Sequence, residues 1–112
     1  MGASTCALWF YGASSDEVGL WRALEDEHGQ QAHAAGLCFG ILRDGETTGL
    51  YLAVEESLVE VYPGQARVIP AMKMVAPQAW KERVQTFAAS VGLRLQHGEP
   101  NWYLACETDR DY

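Results

Sequence analysis

The chain has 112 residues, 48% of them hydrophobic, and a net charge of -7. That size and apolar content suit one domain over 1–112 whose core needs no disulfide, metal or cofactor, and the acidity disfavours nucleic acid and anionic membrane surfaces as partners. The three cysteines (Cys6, Cys38, Cys106) are odd in number, widely spaced and without a Cys-x-x-Cys pair, so free thiols in a reducing cytoplasm are the expectation. The opening residues lack a secretion signal pattern and no stretch reaches the length of a membrane span, which agrees with a cytoplasmic location and no membrane partner.

Ser4 to Tyr11 is apolar and aromatic and reads as a buried first strand. Ser14 or Ser15 is then placed to cap a helix with Asp16 and Glu17 in its first turn, running to about Ala34. Leu20, Trp21, Leu24 and His28 form its inward stripe, and Glu25, Asp26 and Glu27 its solvated side. Leu37–Arg43 and Thr48–Glu55 are strands joined at Asp44-Gly45, a hairpin signal. Leu58–Tyr62 reads as a strand closed by Pro63-Gly64, and Ala66–Val75 as another, edged by Pro70. Pro77 suits the first position of a second helix, on which Trp80, Val84, Phe87, Ala88 and Val91 share one face. Gly92 ends that helix with Leu93 folded back on it. Leu93–Gln96 and Trp102–Glu107 are the closing strands, and Thr108–Tyr112 a polar tail. The fold class is α+β, a single antiparallel-rich sheet with two helices on one face.

A segment recurs. Gly49-Leu50-Tyr51-Leu52-Ala53-Val54-Glu55 returns as Asn101-Trp102-Tyr103-Leu104-Ala105-Cys106-Glu107, each after a Gly-Glu pair. The order strand, helix, strand, strand therefore occurs twice, over about 4–56 and 57–108, as in a pseudo-twofold duplication. Alternation along the strands puts Leu50, Leu52 and Val54, with Trp102, Leu104 and Cys106, under the helices. Tyr51, Ala53 and Glu55, with Tyr103, Ala105 and Glu107, then occupy the opposite face. If Leu8 and Phe10 also point inward, Trp9 and Tyr11 join that second face. It would present aromatic walls and carboxylates suited to a cation.

Catalytic constellations do not assemble. His28 and His33 are spaced to diverge on a helix, Glu25 and His28 lack the matching carboxylates of a di-iron bundle, and His97 stands alone in a turn. No nucleophile elbow, phosphate-binding glycine loop or His-Glu-x-x-His motif is present. A non-enzymatic binding protein without a metal or cofactor is the expectation.

Pro63-Gly64, the early-helix Trp80, Gly92-Leu93, Gly98-Glu99-Pro100 and Tyr103, set in the doubled element order, resemble gyrase-inhibitor-like effector-binding domains. The resemblance implies a non-catalytic pocket for amphipathic, often cationic, molecules, with Tyr51, Glu55, Tyr103 and Glu107 as its residues. A second reading rests on acidity and size alone, and ranks narrowly first. It is an immunity- or inhibitor-like protein that blocks a basic partner surface through Glu25, Asp26 and Glu27, anchored by Trp9, Tyr11, Tyr51 and Tyr103. A hollow would favour the first reading and a flat acidic surface the second.

Overall fold

Five strands and two helices make up the computed structural model, which describes residues 3–17, 21–44, 47–71, 75–96 and 99–110. The elements are β1 (Ala3–Ser15), α1 (Trp21–Ala34), β2 (Leu37–Asp44), β3 (Thr47–Val54), β4 (Val59–Val61), α2 (Gln78–Val91) and β5 (Asn101–Arg110), with a single 3-10 turn at Glu55–Ser57 between β3 and β4. The α+β class is as expected.

The sheet runs β3-β2-β5-β1-β4 and curls so that β3 also reaches β1. β1 is its spine. One edge pairs antiparallel with β5 from Ala3–Arg110 to Gly12–Asn101. The other edge takes β4 at Ala7–Trp9 and β3 at Gly12–Ser15, so β3, the turn and β4 run as one broken strand along it. β2 pairs antiparallel with β3 and touches β5 through a single parallel bridge, Asp44 with Thr108. Gly12 sits where β1 and β3 come together. A Cβ there would strike the Leu52 carbonyl and the Ala53 Cα, so only glycine admits this approach.

Both helices bury into one apolar cluster on one face of the sheet. Leu24 and Ala32 come from α1, Val84, Phe87 and Ala88 from α2, and Leu37, Leu50, Leu52, Val54, Tyr11 and Ala13 from the strands. Alternation in β3 therefore has the expected phase. In β5 Trp102 packs against this cluster as expected, but Leu104 and Cys106 beyond it are exposed. The opposite face is not solvated. The curl folds it over a second cluster of Leu8, Phe10, Tyr51 and Ala53, backed by Cys6, Cys38, Leu58 and Tyr103. Each fully buried large side chain in these clusters contributes about 1.5–3 kcal/mol.

β1 has the opposite phase to the one expected. Leu8 and Phe10 lie with Tyr51 and Tyr103, while Tyr11 joins the helix-side cluster. The register decides this, because directly paired residues share a face: Phe10 stands opposite Tyr103, and Tyr11 opposite Trp102.

Other boundaries also shift. Ser14 and Ser15 are strand residues paired to β3, not helix caps; Ser15 Oγ instead accepts the Glu17 N–H at 3.1 Å. α1 has no acidic residue in its first turn. Leu24 is buried as expected, while Leu20, the Trp21 side chain, Gly45, His97 and Gly98 lie outside the described residues. Residues 66–71 form no strand, and 72–74 lie outside the described residues. Leu93–Gln96 is irregular: Gly92 takes φ 71°, the Leu93 N–H returns to Ala88 O, and the Gln96 N–H goes to Ser14 O. The second half thus supplies β4, α2 and β5 where strand, helix, strand, strand was expected. β5 continues to Arg110, through much of the stretch read as a tail.

Candidate functional site

Ser57 shapes the site. Its hydroxyl accepts the Tyr11 N–H at 2.9 Å and lies 2.7 Å from Val54 O, to which it donates. That fastens the 3-10 turn to β1 at the gap between the β4 and β3 pairings. The preceding residue, Glu56, is exposed beside the sheet.

There Glu56 lines a cleft together with three tryptophans. Trp9 and Trp102 stack with centroids 5.3 Å apart and 20° between planes, and Trp80 stands edge-on to Trp102 at 6.3 Å. Trp80 Nε1–H donates to Glu56 Oε1 at 3.1 Å. Tyr11 backs the group, packed against both Trp80 and Trp102. Around these residues opens a cleft of about 350 Å³, completed by Ser57, Val59, Val68, Ile69, Pro70, Val75 and Pro77. Trp9 Nε1 is buried and has no hydrogen-bond partner among the described residues.

Burial raises the Tyr11 hydroxyl above its ordinary value, partly countered by Lys81 and reinforced by Glu99. Lys81 and Glu99 are paired at 3.0 Å, and that hydrogen bond and charge raise the Lys81 ammonium. Tyr11 therefore stays uncharged behind the tryptophans.

Of the binding residues expected from the sequence, only Trp9 lines this cleft. Tyr11 supports it from behind. Tyr51 and Tyr103 are on the opposite side of the sheet, each stacked on Phe10 at 4.8 and 5.2 Å. The shared aromatic face expected for Trp9, Tyr11, Tyr51 and Tyr103 does not exist, because β1 is turned over relative to that expectation. Glu55 is no strand-face carboxylate either: it begins the 3-10 turn and bonds His33 Nδ1 at 2.7 Å. The Glu107 side chain lies outside the described residues. Glu25, Asp26 and Glu27 are exposed on α1 and take no part in the cleft.

Trp80, Trp102 and Glu56 were missed as site residues. The two tryptophans have periodicities that fit core positions equally well, and nothing local distinguishes Glu56 from its neighbour Glu55. Among the described residues, no group of three or more His, Cys, Asp or Glu could hold a metal ion, and no helix is long and apolar enough to cross a membrane. No family model, curated protein or solved structure matches the chain.

Proposed function

We propose that this protein is a non-catalytic binding module for a small organic cation with a flat apolar body, received in the cleft between Trp9, Trp80 and Trp102. The observation that carries the reading is the Trp80–Glu56 bond, which holds a carboxylate at an indole-lined hollow. Indole faces attract cations, by about 0.5–2 kcal/mol each depending on exposure. The carboxylate adds charge, and the apolar wall accepts the ligand's body. The net charge of -7 favours approach of a cation. The same ligand class follows from the effector-domain resemblance, with different residues.

Titration with N-methylquinolinium, followed by tryptophan fluorescence and thermal shift, tests this. The cation should quench and stabilise, and uncharged methylquinoline should do so far more weakly. Glu56→Gln should weaken cation binding on the order of tenfold, as expected for losing one charged contact of about 1.5 kcal/mol. Equal responses to the charged and neutral probes would sink the proposal.

One observation favours the protein-blocking reading. Leu104 is 74% exposed in the middle of β5, directly opposite Trp9 in the register. A tryptophan with an exposed apolar neighbour is the kind of aromatic anchor at which protein partners bind. Leu104→Ser, which adds no charge beside Trp9, should abolish capture of such a partner and leave N-methylquinolinium binding intact.

A further inference from the structure

Trp9, which lines the cleft, carries a buried polar group that none of the described residues answers. Trp9 Nε1–H is buried without an acceptor, whereas the Trp80 indole has its acceptor in Glu56. A buried donor left unpaired is unfavourable, and native structures rarely tolerate one without a use for it. No described backbone carbonyl or side chain answers Trp9, although its ring is fixed by the stack on Trp102 and its strand is paired on both edges. Val59, paired with Trp9 across β1–β4, and Val68 and Ile69 of the cleft lining offer only apolar side chains. Among the described residues, no backbone hydrogen bond holds 66–71 to the sheet, and Val68 on this wall is 92% exposed.

From this we infer that the ligand carries a hydrogen-bond acceptor, a carbonyl or ring nitrogen, that pairs with Trp9 Nε1 while its cationic end faces Glu56. The inference rests on the cation-binding reading and narrows it. Recognition has two points: charge at Glu56 and an acceptor at Trp9, with the ring system between them against Trp102 and Trp80. A cation without the acceptor leaves the Trp9 N–H unsatisfied and binds less well.

Two probes of nearly equal shape separate the terms: meta-acetyl-N-methylpyridinium, and its isopropenyl isostere in which a CH₂ replaces the carbonyl oxygen. The wild-type protein should prefer the acetyl probe by about fivefold, the scale of one net hydrogen bond. Trp9→Phe, which keeps an aromatic wall and removes the donor, should equalise the two. Glu56→Gln should weaken both alike. A second measurement needs no substitution: the Trp9 indole N–H resonance in an ¹⁵N-labelled sample should move downfield with the acetyl probe and stay put with the isopropenyl one. Equal affinities with an unmoved Trp9 resonance would overturn the acceptor while leaving the cation cleft standing. Binding of neither probe would remove both.

Discussion

Phe10 and Tyr103 face one another directly across the β1–β5 pair, their rings 5.2 Å apart and within 10° of parallel. Tyr51, from β3, stacks on the same Phe10 at 4.8 Å. The two recurring Tyr-Leu-Ala segments therefore meet on one ring, from the two edges of β1. Tyr51 is a core residue under the curl and Tyr103 is half-buried against it, so the face they share is largely covered.

Phe10→Ala should be among the most damaging substitutions in the chain. It removes a fully buried ring and both stacks, and Phe→Ala in a core costs about 3–5 kcal/mol. Tyr103→Phe keeps the stack and loses only the 3.2 Å contact with the Ser14 hydroxyl, so it should cost about 1 kcal/mol. Urea unfolding of the two variants measures the contrast. Similar losses would mean that the hydroxyl, not the ring, holds this side of the sheet.

Ser57→Ala tests how the site is built. The substitution deprives the buried Tyr11 N–H of its acceptor, at about 1–3 kcal/mol, and frees the turn that carries Glu56. Stability and N-methylquinolinium affinity should therefore fall together. Affinity unchanged in a destabilised Ser57→Ala protein would show that Glu56 is positioned by Trp80 alone.

Much of the fold was legible in local pattern. The α2 stripe, the Gly92 stop, the β2 and β3 strands and the phase of β3 all follow from periodicity and from glycine or proline chemistry. β1 could not be phased that way, because both of its faces are apolar: Leu8 and Phe10 on one, Trp9, Tyr11 and Ala13 on the other. Only its register with β5 chooses between them. Residues 66–71 are apolar enough to suggest a strand, yet they wall a cleft, and Leu93–Gln96 is taken up by the helix cap and by Ser14. The site was least legible of all. Glu56 acquires its role from Trp80, 24 positions away, and no local spacing encodes that.

Gly40 offers a test of the covered face. It pairs with Tyr51 across β2–β3, and a Cβ at Gly40 would run into the Tyr51 ring. The aromatic ring covers the glycine, a known stabilising arrangement in sheets. Gly40→Ala should therefore destabilise by about 1–3 kcal/mol through overpacking, despite alanine's lower backbone entropy cost. Gly40→Ala combined with Tyr51→Leu should recover part of that loss, since the two positions are in contact. Denaturation of the single and double variants decides it; additive losses would mean that the ring is not what the new methyl meets.

Cys38 carries the last prediction. Burial, with Glu55 nearby, pushes its thiol from the ordinary 9.0 up to about 11, so it is protonated and inert at neutral pH. Cys106 is exposed by contrast, and a thiol reagent near pH 8 should modify Cys106 well before Cys38. The same shift sets an alkaline limit on stability. Between the unfolded value near 9 and the folded value near 11, the unfolded chain has lost its proton while the folded one retains it. The unfolded state thus binds fewer protons, and stability must fall as pH rises through this window, having been full below it. Tyr11, also raised by burial, adds a slope of the same sign at higher pH. Cys38→Ala should flatten the stability curve between pH 9 and 10, below the Tyr11 window that opens at its ordinary value of 10.0, and lessen the slope above it. An unchanged slope in Cys38→Ala would place the alkaline sensitivity elsewhere.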